Sequence, residues 1–179
     1  PEKDLDWSDE GVEGSYRFIG RVWRLVVDND DLLSGVVPYD ASVDLPLEGW
    51  IKDLRHMTHK TIERVTQDIE KRFHFNTAIS AIMELVNAIY QARPSITPDQ
   101  SESSTVLREA VEAVVLLLAP FAQHLSEELW MRLGSHLPVY KTDWPKAALE
   151  ALIRESVVIM IQINGKLRSK LTVAADASE

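Results

Sequence analysis

The feature that most constrains this chain is the stretch of residues 113–134, AVVLLLAPFAQHLSEELWMRLG, which contains the longest apolar run in the sequence. Apolar side chains recur at every fourth position from Phe121 to Leu133, and this spacing predicts one buried face of a helix. Pro120 has no amide hydrogen and clashes with the preceding turn, so we expect a central core helix that is kinked or broken there, with Pro120 in the first turn of the second piece if it breaks. The expected buried positions are Phe121, Leu125, Leu129 and Leu133, and the expected solvent-facing positions are Gln123, Ser126, Glu127 and Arg132.

Three more helices are predicted before this stretch. The second is the longest, about 40 Å if it runs unbroken at 1.5 Å per residue. A loop rich in Asp, Gly, Ser and Pro separates the first two, and Ser103 or Ser104 is the expected N-cap of the central run. The predicted limits are an N-cap at Ser8 for the first helix, Pro46 to Arg72 for the second, and Asn76 or Thr77 to Arg93 for the third. The predicted inward positions of the first helix are Val12, Tyr16, Ile19, Val22, Trp23 and Val26. Those of the second helix are Ile51, Leu54, Ile62, Val65, Ile69 and Phe73, and those of the third helix are Ile79, Ile82, Met83, Val86, Ile89 and Tyr90.

The sequence pattern changes after Leu137-Pro138, where the long helical periodicity ends. Residues 146–153 fit a short helix, and residues 157–173 are rich in β-forming side chains around Asn164-Gly165, a strong hairpin signal. We therefore expect a mainly α protein, with a bundle of four long helices over residues 1–153 and the beginning of a second, truncated domain, a β-hairpin, over residues 154–179.

Composition narrows the possible functions. The chain contains no Cys, which excludes disulfides, thiol nucleophiles and Cys-ligated zinc, and fits a cytoplasmic location. Its longest apolar run is too short to span a bilayer. The net charge of −9 means that any site for a polyanion must be a local basic patch. Because the chain begins with Pro1, we expect it to be a piece of a longer protein.

Catalytic and metal-binding patterns are weak. His56 and His59 lie three residues apart with Asp53 and Glu63 near the same helical face, but a solvated polar face is the favoured interpretation over a metal site. His124 and Glu128 are interpreted as a surface pair rather than an acid–base catalyst. The sequence has no Gly-rich phosphate loop and no nucleophile motif.

Four segments carry a family resemblance that covers nearly the whole chain. They are residues 13–25 (EGSYRFIGRVWRL), 59–90 (HKTIERVTQDIEKRFHFNTAISAIMELVNAIY), 116–134 (LLLAPFAQHLSEELWMRLG, followed by Asp143-Trp144-Pro145) and 157–173 (VVIMIQINGKLRSKLTV). The third resembles the last helix of the anticodon-binding bundle of class I aminoacyl-tRNA synthetases. Together the four resemble bacterial-type leucyl-tRNA synthetases, and the last segment is the most specific.

The resemblance implies a role in docking tRNA(Leu), beside the remaining domains of a parent leucine–tRNA ligase. That parent uses ATP and Mg²⁺, but its HIGH and KMSKS signatures are absent here, so the resemblance carries over no catalytic residue, metal or cofactor to this chain. The alternatives are the same domain of a valyl, isoleucyl or methionyl enzyme, or a helical protein-interaction module that does not bind RNA.

Within the matching segments, basic residues are the candidates for contacts with RNA phosphates. Arg17, Arg21 and Arg24 are expected to form one stripe beside a buried face of the first helix. For any one of these residues, a solubilising charge or an intrahelical ion pair, such as Arg17 with Glu13, is an equally good interpretation. Trp23 and Trp130 are interpreted as core or core-edge residues rather than stacking platforms. The full candidate set is Arg17, Arg21, Arg24, Lys60, Arg64, Lys71, Arg72, Lys166, Arg168 and Lys170.

Overall fold

The computed structural model describes residues 8–42, 47–96, 101–153, 156–163 and 166–174, with the backbone alone described for Ser101 and for the last two ranges. Within them the α-helices are α1 (Asp9–Val27), α2 (Asp30–Leu33), α3 (Gly49–Gln67), α4 (Phe75–Ala92), α5 (Ser101–Leu118), α6 (Gln123–Arg132) and α7 (Leu149–Leu152). Asp68–Arg72 is a π-helical turn, and Arg93–Ser95 and Val139–Lys141 are 3₁₀ turns. The predicted mainly α fold is confirmed.

Helix α5 is the centre of the core and packs against α2, α3, α4 and α6. The predicted break at Pro120 is confirmed, because α5 ends at Leu118 and α6 begins at Gln123. Pro120 lies in the connecting turn rather than in the first turn of α6. The side chains of α5 with no solvent exposure include Val106, Leu107, Ala110, Val111, Val114, Val115 and Leu117.

Three serines near this core differ from the prediction. Ser103 and Ser104 are not N-caps, because α5 already includes Ser101 and both later serines are buried within the helix. Ser126 was expected to face solvent but is fully buried, and Trp130 is buried beside it in α6. A serine side chain is small enough to fit where two helices approach closely, so its polarity did not indicate its position.

Helix α1 begins as predicted but buries a different face. The Ser8 hydroxyl accepts a hydrogen bond from the Gly11 amide at 3.2 Å, which confirms the N-cap. Tyr16 and Ile19, predicted to face inward, are exposed, as is Val12. The chain has two apolar stripes on α1, and the neighbouring helices cover only one of them. The buried residues of α1 are Phe18, Val22, Leu25 and Val26.

Helix α3 is shorter than predicted. It begins at Gly49, and its regular α-helical part ends at Gln67, where the π-helical turn follows. Phe73 then takes the left-handed conformation, with φ of 53°, and is exposed rather than inward-facing. This turn reverses the chain into α4, which starts within two residues of the predicted position. Pro46, the predicted start of α3, lies outside the described residues.

The C-terminal part contains α7 and two strands. Strands β1 (Ser156–Ile163) and β2 (Lys166–Ala174) pair antiparallel, with an irregularity between Ile161 and Gln162. The predicted Asn164-Gly165 turn lies outside the described residues, so the β-hairpin and the domain boundary near residue 154 stay predictions. None of the helices in the described ranges combines the length and apolar character needed to cross a bilayer.

Candidate nucleic-acid interface

Arg21 on α1 is fixed against α4. Its Nη2 donates to Asn87 Oδ1 at 2.7 Å, and its guanidinium carbon lies 5.0 Å from the centre of the Tyr90 ring. The Tyr90 hydroxyl donates to the backbone oxygen of Arg21 at 2.9 Å. A hydrogen bond and a cation–π contact together restrict the rotation of the guanidinium group. The charge of Arg21 therefore has a defined position at the seam between the two helices.

The other two arginines of the predicted stripe, Arg17 and Arg24, make different contacts from Arg21 and from each other. Arg17 forms an ion pair with Glu13 at 2.7 Å, and both side chains are about two-thirds exposed, so the intrahelical pair is confirmed. Arg24 is exposed and turns back towards Gly20. Among the described residues no ion pair or hydrogen bond involves the Arg24 side chain.

Arg64 on α3 approaches α4 from the opposite side. Its Nη1 lies 3.2 Å from Glu84 Oε2, and both side chains are about half exposed. Lys60 lies one helical turn before Arg64 and is also exposed. Glu63, by contrast, lines a cleft beside Trp144, so this carboxylate lies towards another side of α3.

Arg21 and Arg64, two of the predicted residues, contact neighbouring residues of α4. Their partners Asn87 and Glu84 are three residues apart on α4, and residues at this spacing are neighbours on a helix surface. Arg21 and Arg64 therefore meet the same turn of α4 from two sides. We call the surface formed by Arg21, Arg24, Lys60, Arg64, Glu84 and Asn87 the α1–α4–α3 face.

Lys71 and Arg72 lie at the corner between α3 and α4. Arg72 Nη1 is 3.3 Å from Asp68 Oδ1, and the Arg72 side chain is 57% exposed while that of Asp68 is buried. Lys71 is exposed. The backbone of β2 includes Lys166, Arg168 and Lys170, but their side chains lie outside the described part of the chain.

The histidines considered for metal binding have structural hydrogen bonds. His56 Nδ1 lies 2.8 Å from the carbonyl oxygen of Ala151, so this nitrogen must carry the proton. His59 Nδ1 accepts from the Ala148 amide at 3.1 Å, which leaves Nε2 as the donor to Glu109 Oε1 at 2.8 Å. In the described ranges no group of three or more His, Cys, Asp or Glu residues could hold a metal ion.

The pairing expected for His124 is wrong. Glu128 pairs with Arg132 at 2.9 Å instead of His124, and Glu127 accepts a hydrogen bond from the Val139 amide at 3.0 Å. The expectation for the two tryptophans is confirmed, because Trp130 is buried and Trp23 packs against the core beneath the Arg132 guanidinium.

A partly buried ionic cluster was missed by sequence reasoning, with Arg55 buried and the Glu150 side chain 55% exposed. Arg55 on α3 lies 3.2 Å from Glu109 on α5 and 3.0 Å from Glu150 on α7. The hydrogen bond from Arg55 lowers the pKa of Glu150 below its ordinary value. Together with His56 and His59, this cluster attaches α7 to the bundle. No short motif signals it, because its members are separated by 41 to 95 positions along the chain.

The outline of the fold agrees with comparisons to known proteins. The model of the family described as the anticodon-binding domain of tRNA ligase matches residues 52–179. Since the match covers more than half of the chain, this chain belongs to the family of anticodon-binding domains of tRNA ligases.

The individual relatives that this chain matches are leucine–tRNA ligases. The leucine–tRNA ligases of Geotalea uraniireducens and Desulfatibacillum aliphaticivorans are 52% and 50% identical over all of this chain, which covers 21% and 20% of their lengths. A crystal structure of the ternary complex of Agrobacterium radiobacter LeuRS with tRNA and LeuAMS matches with a TM-score of 0.80 and 34% identity, over 98% of this chain and 22% of that one. The chain thus spans about a fifth of the length of the relatives it matches.

Proposed function

We propose that this chain is the tRNA-binding domain of a leucine–tRNA ligase and that the α1–α4–α3 face contacts tRNA phosphates. The observation that carries this proposal is the convergence of Arg21 and Arg64 on one turn of α4. The 52% identity to a leucine–tRNA ligase over all 179 residues supports leucine over the other aliphatic amino acids.

The physics of phosphate binding favours this face over the rest of the surface. The chain carries a net charge of −9, so a polyanion is repelled except where cations are concentrated. Arg21 is already fixed in place, so it loses little side-chain entropy when it donates to a phosphate. Arg24 and Lys60 flank it, neither forms an ion pair with another described residue, and both can release counterions when they bind.

The contacts are expected to recognise the shape and backbone of the RNA rather than its sequence. Side chains cannot read base identity through the deep major groove of duplex RNA, and phosphate contacts fix register and orientation. Arg17, Lys71 and Arg72 belong to the proposed binding set as secondary contacts, since Arg17 and Arg72 each share their charge with a carboxylate. Lys166, Arg168 and Lys170 are proposed on their sequence position alone.

The chemistry of the parent enzyme is assigned to other domains. ATP and Mg²⁺ would act in a catalytic domain that this chain does not include, and the bundle would position tRNA(Leu) for aminoacylation and editing there. The remaining domains of the ligase are therefore its proposed protein partners, and the cytoplasm is its proposed location.

A titration of tRNA(Leu) against the full-length protein at several salt concentrations tests the proposal. We expect saturable binding whose affinity falls linearly on a logarithmic scale as salt rises. The second candidate is a helical protein-interaction module, which the net acidity and the exposed Val12, Tyr16 and Ile19 of α1 favour. Absence of saturable tRNA binding at low salt would support that candidate and reject the proposal.

A further inference from the structure

The corner between α3 and α4 presents two aromatic rings to solvent. Phe73 is 59% exposed and Phe75 is 41% exposed, and their ring centres lie 6.4 Å apart in an edge-to-face arrangement. Lys71 and Arg72 precede them directly in the chain and are also exposed. We call Lys71, Arg72, Phe73 and Phe75 the aromatic corner.

The backbone at Phe73 is unfavourable for a phenylalanine. Its φ of 53° lies in the left-handed region, where helices commonly end with glycine because a side chain is strained there. The chain therefore places a strained aromatic residue at a position where glycine would fold more easily. More than half of this ring is also exposed, so burial in the core of the bundle does not explain why the residue is there.

The corner is held rigidly from below. The Phe75 ring contacts Phe121 with their centres 6.2 Å apart, which connects the exposed pair to the core. The His74 amide donates to the backbone oxygen of Asp68 at 2.9 Å and closes the turn. The Asp68 carboxylate, itself buried, lies 3.3 Å from the guanidinium of Arg72 and restrains that side chain.

We propose that the aromatic corner stacks on one unpaired base of the bound tRNA, with Lys71 and Arg72 contacting the neighbouring phosphates. This inference rests on the proposed function. Exposed rings beside cations match a nucleotide, which presents a flat apolar base next to a negative charge. Arg72 already pairs with Asp68, but Lys71 has no ion pair among the described residues, and an RNA strand supplies a phosphate at each nucleotide that can meet its charge.

The test replaces Phe73 by Gly in the full-length protein. Glycine removes the ring and also relieves the strained backbone, so the thermal stability is expected to be unchanged or higher. Because loss of one base stack weakens binding by about fivefold or more, we expect at least that loss of tRNA(Leu) affinity. The slope of affinity against salt should not change, since no charge is removed. Phe73→Tyr, which keeps the ring, should restore the affinity.

A matched control uses another exposed aromatic residue beside a lysine. Tyr140 is 71% exposed, and its ring centre lies 5.8 Å from the Lys141 ammonium nitrogen, but it belongs to the 3₁₀ turn after α6. Tyr140→Gly should leave tRNA affinity unchanged. Chemical probing of the tRNA should show one unpaired nucleotide that the wild-type protein protects and Phe73→Gly does not.

The outcomes separate this inference from the proposed function. Wild-type protein that binds no tRNA rejects both. Wild-type protein that binds tRNA, with Phe73→Gly and Phe75→Ala binding equally well, rejects the aromatic corner alone. A drop of several degrees in the melting temperature of Phe73→Gly with unchanged tRNA affinity also rejects it, because the ring would then be packing against protein.

Discussion

Replacement of Arg108 by Met should cost this domain a large part of its stability. Arg108 lies in α5, and its guanidinium group is the point where three helices are joined. Its Nη1 donates to the carbonyl oxygen of Leu33 at 2.7 Å, and its Nη2 donates to the carbonyl oxygen of Leu133. Its Nε lies 2.6 Å from Glu112 Oε1. The two carbonyls lie at the ends of α2 and α6, so Arg108 satisfies helix termini that no intrahelical amide can reach.

The size of the stability loss follows from the carbonyl and carboxylate groups that lose the Arg108 guanidinium. Methionine fills a similar volume but donates no hydrogen bond, so the Leu133 carbonyl loses its partner at a cost of about 1–3 kcal/mol. The Leu33 carbonyl keeps a hydrogen bond from the Val36 amide at 3.3 Å. The Glu112 carboxylate, whose side chain is only 19% exposed, is also left without a counter-charge. Breaking a buried ion pair by removing one partner costs about 3–5 kcal/mol. The lower ends of these two costs add to a loss of about 4 kcal/mol in the free energy of unfolding, and we expect at least that loss.

Urea denaturation followed by circular dichroism measures this loss, and Arg17→Met is the matched control. Arg17 and Glu13 have the same i, i+4 spacing and a similar distance of 2.7 Å, but their side chains are 65% and 67% exposed. An exposed pair contributes less than about 1 kcal/mol. If the urea midpoint of Arg108→Met falls no further than that of Arg17→Met, the reasoning about buried helix ends is refuted.

Three further outcomes are expected. Arg55 lowers the pKa of Glu150 in the folded state, so this pair stabilises the domain at a pH above the unfolded pKa of Glu150. The stabilisation is lost as the pH falls through the folded pKa. Acid titrations of Glu150→Gln should therefore show a weaker loss of stability than those of the wild type. Deletion of residues 154–179 should leave the melting temperature of the bundle within a few degrees, and a fall of many degrees would place the boundary elsewhere. Purified chain should show no leucine-dependent pyrophosphate exchange above background, since the sequence has no nucleotide-binding motif, and measurable exchange would contradict this.

Local sequence signals predicted the helix ends well because helix ends are set by interactions between residues close together in the chain. Pro120 disrupts the interior of a helix through its own ring and its missing amide hydrogen, and the Ser8 hydroxyl accepts a hydrogen bond from the amide only three residues away. Helix α4 was predicted within two residues because one strong apolar face runs through it, ending at Arg93-Pro94.

The wrong predictions share a different cause. Helix α1 has a second apolar stripe containing Tyr16 and Ile19, and periodicity alone does not say which stripe another helix will cover. The pairs Arg108–Glu112 and Arg17–Glu13 have the same i, i+4 spacing in sequence, yet one is largely buried and the other is exposed. Only the positions of distant segments distinguish them.

The candidate site was predicted in part. Arg21 and Arg64 were selected as basic residues within recognised segments, but nothing in the sequence indicated that they meet one turn of α4. That meeting depends on how α1 and α3 pack on either side of α4, which is a property of the assembled bundle. Phe73, which follows the π-helical turn after α3 and is exposed, was predicted as core because it continues a regular apolar stripe. The π-helical turn at Asp68–Arg72 interrupts that register.

The most direct test of the account removes the two flanking charges of the α1–α4–α3 face together, as Arg24→Gln with Lys60→Gln, in the full-length protein. Neither side chain holds a hydrogen bond or ion pair among the described residues, so the helix content should not change. We expect weaker binding of tRNA(Leu) and a slope of log affinity against log salt that is lower by about one to two units. The control, Arg132→Gln with Lys141→Gln, removes the same charge elsewhere and should leave the slope within error. Equal slopes for both double variants and the wild type would contradict the proposal that this face docks tRNA.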